Sequence, residues 1–528
     1  MRDDDGMPVG TDGAHTLGRW LDDRAVTSPA KTAIDDRGVR IDYARLAERV
    51  RDLAERLRTA GYGPGDRIAT VSGNTIDHVV AFFACVKAGI AFIPLSWRLV
   101  STELAEVMAR AEPQLLLIEE EYAGPAADAQ RRLPTAIPQA ALGVAGVETH
   151  APERAERFGP RPESRSVRDD DVALVIFTSG SEGTPKGVML SHANCFWNNL
   201  ALAGAIGLRA DDVVLSALPQ FHVAAWNVQP LLAWWTGATV VLERSFQPDR
   251  VLQLISERRV TALMGVPTQY RLLADDPGFA TADLTSLRIA QVGGAPADDA
   301  LQAVWRERGV ELLAGYGLTE AAPNVLSVAP GDAERARGTV GVPYPHVDVC
   351  IVDPATGLPM GEGAVGELWV RGPSVFAGYL DDPQGTSRAF AGEWLRTGDL
   401  ARRGEDGRYR IVDRIKDIYI SGGENVAPAE VERALNAHPA VRAAVVVGVP
   451  DRVWGERGVA FVEIASGASC GEDELLAHAR ERLASFKVPV RIIAVDELPR
   501  SAIDKFARSR LKERARAIWE EGAHESAG

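Results

Sequence analysis

Residues 178–192 read TSGSEGTPKGVMLSH, from Thr178 to His192, directly after the apolar run VALVIF. A β-rich run, then glycines and hydroxyls, then a helix with Ser191 as its N-cap, puts backbone amides where they can point into a cleft. Hydroxyls on Thr178, Ser179, Ser181 and Thr184, glycines at Gly180 and Gly183, and the ammonium of Lys186 make up a polyphosphate cradle. It is not a Walker A loop. Counted from Gly180, GxxxxGK[ST] needs a glycine where Pro185 stands and a Ser or Thr where Gly187 stands, which disfavours a P-loop ATPase. Taken alone, a Gly/Ser/Thr stretch is more often a surface loop, so the rest of the chain has to decide.

Around this loop, short apolar runs alternate with longer amphipathic ones: TVVLE with PDRVLQLISERR, TALMGV, and LRIAQV with PADDALQAVWRER. The alternation predicts an α/β protein with mostly parallel sheets and ligand sites on the loops after strands. HVVAFFACVKAGIAFIPL, interrupted by Lys87, reads as a buried helix entering a strand rather than a membrane span. Beyond about Gly366, GELWVRG and GRYRIVD alternate with period two, predicting a small antiparallel or barrel-like subdomain. The texture changes again after Asp413-Arg414-Ile415-Lys416, where a compact α+β stretch begins. The expected division is a large N-terminal domain over 1–414 and a small C-terminal domain over 415–528, with the tail EEGAHESAG fraying.

A chain of 528 residues is long for one core, in keeping with two domains. Against 58 Lys+Arg stand 73 Asp+Glu, a net charge of −15 that argues against nucleic acid as main partner and requires a local cationic site for any anionic ligand. Cys85, Cys195, Cys350 and Cys470 are too scattered for a metal motif or disulfide framework, and the acidic start MRDDDGMPVGTDG is unlike a signal peptide. A cytoplasmic location without a membrane span is the expectation.

GYGLTEAAP, WLRTGDL and LPRSAIDKFARSRLKE join the loop in one consistent order, and with KAGIAFIPLSWRL they extend over nearly the whole chain. On these motifs the sequence resembles the adenylate-forming superfamily of acyl-CoA synthetases and stand-alone adenylation domains. The resemblance implies a large domain, a small mobile domain and a two-step reaction. A carboxylate attacks the α-phosphate of ATP to give acyl-AMP and pyrophosphate, and a thiol then displaces AMP.

By that resemblance the residues from Thr178 to Lys186 hold the pyrophosphate, Thr319 binds the α-phosphate and Glu320 coordinates Mg²⁺. Tyr316 stacks on adenine, bordered by Gly294, Ala295 and Pro296; Asp399, helped by Arg414, takes the ribose hydroxyls. Lys505 reaches from the small domain to the carboxylate and α-phosphate, where it stabilises charge in the transition state. Lys416 is the hinge, and rotation about it brings Ser421, Gly422 and Gly423 to the pantetheine arm of CoA. His222 gates the acyl pocket, which Ala224, Ala225, Trp226, Met264, Gly265, Gly293, Gly317, Leu318 and the 321–324 segment with Ala322 would line. Read alone, Asp399 is a turn residue, Lys505 a solvated one and His222 a satisfied core histidine, so these roles rest on the match.

The family's glycine before the catalytic lysine is replaced here by Asp504, and Ser181-Glu182 stands where Thr-Thr is commoner. The pocket segments are apolar and offer neither an Asp for an α-ammonium nor an Arg for a second carboxylate. They point to an apolar monocarboxylate, a medium-chain fatty acid or an aryl acid. The leading reading is a carboxylate–CoA ligase using ATP, Mg²⁺ and CoA, as a monomer or homodimer. The alternative is a stand-alone adenylating enzyme that passes its acyl group to a carrier protein or an amine, and Asp504 suggests a third, a weak nucleotide-binding scaffold.

Overall fold

The computed structural model describes residues 15–143, 152–162, 165–179, 185–415, 417–421, 424–451, 454–483, 485–500 and 506–525. The chain divides into two compact units, Met1–Asp348 with Val370–Leu395 and Val349–Trp369 with Arg396–Gly528. Among the described residues no helix is long and apolar enough to cross a membrane.

The first unit carries the expected α/β layers in two sheets. In the nine-stranded one, Thr32–Asp36, Val213–Ser216, Thr239–Leu242, Ala262–Gly265, Ile289–Val292 and Leu312–Gly317 run parallel, with antiparallel strands at both edges. In the seven-stranded one, Val172–Ser179 lies parallel to Ala91–Leu95 and antiparallel to Pro185–Ser191. HVVAFFACVKAGIAFIPL is the predicted helix and strand: in Ile76–Ala88 every residue but Lys87 is buried, and Ala91–Leu95 is buried throughout. Thr75 accepts from the His78 backbone N–H at its start, and Gly89, at φ 76°, closes it in the left-handed region. Lys87 is drawn to one side by Asp22.

Trp394–Arg403, most of which belongs to the second unit, and Tyr409–Arg414 form the expected antiparallel pair. The C-terminal sheet has Gly455–Ile464 between Val441–Asp451, antiparallel, and Arg491–Val495, parallel. Alternate residues of Val441–Asp451 enter opposite cores: Ala444 and Val446 join Val431, Leu435 and Leu475, while Val445, Val447 and Val449 join Leu511 and Ala515. A strand covered on both faces reads as a continuous apolar run, which is why VRAAVVVGV lacks period two. The helix Arg508–Glu525 extends through most of the tail expected to fray.

Two histidines are sealed in the first unit. His78 shares hydrogen bonds with Thr70 at 2.8 Å and Gln220 at 2.9 Å, and His192 Nδ1 accepts from the Leu17 N–H at 3.1 Å. Burial lowers both from 6.5 to about 4, so the unfolded chain takes up protons first as the pH falls. The stability they confer is therefore complete above about pH 6.5 and is lost toward pH 4, at about 1.4 kcal/mol per unit for each. Urea midpoints scanned from about pH 7 to 5 should fall, and less steeply in His78→Gln; identical slopes would refute the assignment.

Candidate active site

The segments on either side of the loop that opens the sequence reading are paired strands, where the sequence suggested a strand and then a helix. Val172–Ser179 pairs with Pro185–Ser191, Thr178 facing Lys186 and Phe177 facing Gly187. Lys186 is therefore a strand residue. Gly180, Ser181, Gly183 and Thr184 lie outside the described residues, as do Lys416, Gly422, Gly423 and Lys505. A Cβ on Gly187 would sit 3.1 Å from both Leu380 and Val175, so the glycine that excludes a Walker A loop lies in a tightly packed spot. Ser191 caps the helix His192–Ile206 as expected, accepting from the Asn194 N–H at 3.1 Å while Asn194 Oδ1 accepts from the Ser191 N–H at 2.9 Å.

Asn194 spends its remaining donors on the carbonyls of Pro373 and Val375, at 2.9 and 2.8 Å. This fixes a segment that the sequence reading passed over. Its Phe376 N–H donates to the Glu320 carbonyl at 2.8 Å, and Gly378–Tyr379 adds a strand beside Val188 and Met189. Tyr379 then stands between two predicted site residues. Its hydroxyl donates to Glu320 Oε1 at 2.9 Å, and the Lys186 ammonium lies 5.1 Å from its ring centroid. Burial first, and then the Glu320 charge, push the Tyr379 phenol well above its ordinary range, so it remains a donor. The sequence signal was thin, an aromatic after glycine in SVFAGYL.

Thr319 and Glu320 sit on a single 3-10 turn, Thr319–Ala321, at the end of the strand Leu312–Gly317. Tyr316 pairs opposite Leu326 and is half-buried. A Cβ on Gly317 would lie 1.5 Å from the Pro323 carbonyl oxygen, so the chain closes on itself here only with glycine. The Asn324 N–H donates to Asn198 Oδ1 at 3.1 Å, and Asn198 Nδ2 to the Asn227 carbonyl at 2.8 Å, tying this turn to the capped helix. In VGGAP, Gly294 adopts φ 82°, and Gly294, Ala295 and Pro296 are exposed, while Gly293 is buried against Met264 and Gly315.

Of the other pocket residues, His222 and Ala224 are half-buried and Ala225 is buried, on or beside the helical turn Ala224–Asn227. Leu318 is half-buried, Ala322 is fully buried, and Gly265 lies against Gln269 and Tyr270. Trp226 is fully buried, stacked on Phe82 at 4.5 Å, with its Nε1–H donating to the Gln220 carbonyl at 2.6 Å. A polar chain lies close by in sequence: Gln229 Nε2 donates to Gln291 Oε1 at 2.8 Å, and Gln291 Nε2 to the Tyr344 hydroxyl at 3.3 Å. Strand alternation puts Gln291 on the same face as Gly293. IAQV gave no hint of this, because a glutamine in a strand ordinarily reads as an outward residue.

In the second unit, Asp399 and Arg414 are cross-strand partners, with Arg414 Nε 3.1 Å from Asp399 Oδ1. Asp399 is only 4% exposed, and the backbone before it is set by the Gly398 N–H donating to the buried Glu367 at 3.1 Å. Ser421 is buried and pairs with Glu424 at the neighbouring hairpin.

A sequence model of the AMP-binding enzymes matches residues 21–380, and one of the AMP-binding enzyme C-terminal domain matches 430–505. The chain belongs to the AMP-binding enzyme family. Similar proteins match it over more than nine-tenths of its length. A feruloyl-CoA synthase of Amycolatopsis sp. is 39% identical over 94% of this chain and 99% of its own, and an indoleacetate–CoA ligase of Aromatoleum aromaticum is 34% identical over 94% and 98%. The crystal structure of ATP-bound MatB from Rhodopseudomonas palustris has a TM-score of 0.87 at 32% identity, covering 96% of this chain and 99% of that one. In this AMP-binding enzyme the first match takes in the hairpin, the Thr319-Glu320 turn and Tyr379, and the second ends on Lys505.

Replacing Gly317 by alanine should cost roughly 3 kcal/mol or more, since the clash is with backbone that cannot step aside. Urea unfolding measures it, and an unchanged midpoint would contradict this turn.

Proposed function

We propose that this AMP-binding enzyme is an ATP-dependent carboxylate–CoA ligase whose substrate is an aryl monocarboxylic acid. The observation that carries the reading is the Lys186–Tyr379–Glu320 assembly beside the glycine-rich hairpin, an ammonium and a carboxylate presented side by side at a polyphosphate cradle. The aryl preference is supported by relatives named for ferulate and indoleacetate, both aryl acids with one carboxylate, and by a pocket wall of glycine and alanine.

In the first half-reaction the hairpin and Lys186 hold the β- and γ-phosphates, Thr319 takes an α-phosphate oxygen, and Tyr316 with Gly294–Pro296 receives adenine. Asp399, held by Arg414, accepts from the ribose hydroxyls. A carboxylate oxygen of the acid attacks the α-phosphorus and the bond to pyrophosphate breaks, with Lys505 offsetting the charge that develops. Glu320 suits Mg²⁺: it is a hard oxygen donor in no ion pair among the described residues, and Oε1 accepts from a neutral hydroxyl. Bound there, the ion would offset phosphate charge.

In the second half-reaction the domain beginning at residue 415 turns about Lys416. Ser421-Gly422-Gly423 then lines the approach of CoA, whose thiol sulfur passes His222, attacks the acyl carbon and releases AMP.

Product masses from a panel of acids incubated with ATP and CoA should show thioesters of aryl acids, with CoA outperforming added carrier protein or amine. AMP release without a CoA thioester for any acid would overturn the ligase reading. Lys505→Ala should stop acid-dependent pyrophosphate exchange while largely sparing thioester formation from supplied acyl-AMP; equal loss of both would refute its half-reaction role.

A further inference from the structure

An ammonium and a carboxylate that contact the same side chain are candidates to pair with each other. Lys186 and Glu320 do not; both engage Tyr379 instead, one at its ring face and one at its hydroxyl. A direct, half-buried ion pair here would consume the two groups that the proposed function needs for phosphate and cation, and breaking it would carry a desolvation cost on every turnover. An ammonium on an aromatic face is held by less and yields to a phosphate more readily. A hydroxyl that takes one carboxylate oxygen orients Glu320 and leaves the other oxygen for a ligand.

Tyr379 is itself held from several sides. It pairs in strand register with Val188, two residues from Lys186, and its N–H donates to Thr386 Oγ1 at 2.9 Å. Its ring packs at 4.9 Å on Phe376, whose N–H donates to the Glu320 carbonyl. The same short segment therefore fixes the tyrosine against the lysine's strand and against the glutamate's turn.

We propose that Tyr379 is a positioning residue: it keeps Lys186 and Glu320 from neutralising each other and holds Glu320 aimed for a divalent cation. This rests on the reading of the site as one for metal–ATP. It adds a residue whose effect falls on metal affinity, ahead of any chemical step.

The test uses the whole enzyme with α,β-methylene-ATP and Mn²⁺, reading free Mn²⁺ by electron paramagnetic resonance. Tyr379→Phe keeps the ring and loses the donor. Its Kd for Mn²⁺ in the analogue complex should rise about tenfold, while metal-free affinity for the analogue changes less than about twofold. Tyr379→Leu removes the ring as well, so Lys186 and Glu320 meet, and metal-free analogue affinity should fall too. Adding Lys186→Gln to Tyr379→Leu should bring Mn²⁺ affinity back to within about threefold of Lys186→Gln alone, a rescue that a packing role would not give. Mn²⁺ affinity of Tyr379→Phe within about twofold of wild type would overturn the inference. Wild-type enzyme that binds the analogue but takes up no Mn²⁺ with it would instead refute the metal–ATP reading, and the inference with it.

Discussion

The hydrogen bond from the Tyr379 hydroxyl to Glu320 is the end of a longer line of constraint. The line begins at the Ser191 cap, where Asn194 closes the capping box and reaches across to the carbonyls of Pro373 and Val375. From there the 373–380 segment can only run beside Pro185–Ser191, and that course places Phe376 on the Glu320 backbone and Tyr379 between the two charges. A helix cap of ordinary strength thus helps set the geometry at the other end of the strand Pro185–Ser191. Truncating Asn194 would leave two carbonyls without their donor and the Ser191 N–H without its acceptor, and the segment without its anchor.

Close backbone approach is the second constraint. Gly317 lies where a Cβ would penetrate the Pro323 carbonyl, and Gly187 where one would press on Val175 and Leu380. Neither has positive φ; Gly317 is glycine because two stretches of backbone need the same space, and Gly187 is crowded by side chains. Gly294, at φ 82°, is the other kind, required by its backbone angle. Sequence alone shows three glycines beside polar motifs. Which are crowded and which are bent is settled by long-range contacts.

The layer architecture was legible because both sheets of the first unit are built from local alternation of apolar strand and amphipathic helix, and because Ser191 is a strong cap. The second strand of the hairpin was not. PKGVMLS opens with proline, lysine and glycine, poor strand formers, and its pairing with VALVIFTS is decided by burial on both sides. The candidate site residues were named by resemblance, and the structure places Thr178, Lys186, Thr319 and Glu320 in one unit and Asp399, Arg414 and Ser421 in the other. Tyr379 and the Gln229–Gln291 pair escaped, since each matters through a partner about 60 residues away in the chain, Glu320 for the tyrosine and each glutamine for the other. Trp226, read as a pocket wall, is packed among Phe82, Phe92 and His78.

An enzyme that binds a polyphosphate while carrying a net charge of −15 faces a problem of supply. Acidic residues outnumber basic ones, and nearby carboxylates claim cations wherever they can. Arg244 is taken by Glu119 and Glu121, Arg67 by Glu112 and Asp381, and Arg508 by both oxygens of Glu432. Lys186 makes no ion pair among the described residues, although the hydroxyl of the same phenol donates to Glu320. A cation kept for an incoming anion has to be shielded from the protein's own anions by something uncharged that still holds it in place. An aromatic face meets both requirements, because its attraction is electrostatic but carries no charge to be displaced, and a phosphate can outbid it. With Lys186 as the proposed phosphate ligand, the acidity of the whole chain and the aromatic seat of this lysine belong together: the more carboxylates the surface carries, the more a phosphate site depends on insulating its cation.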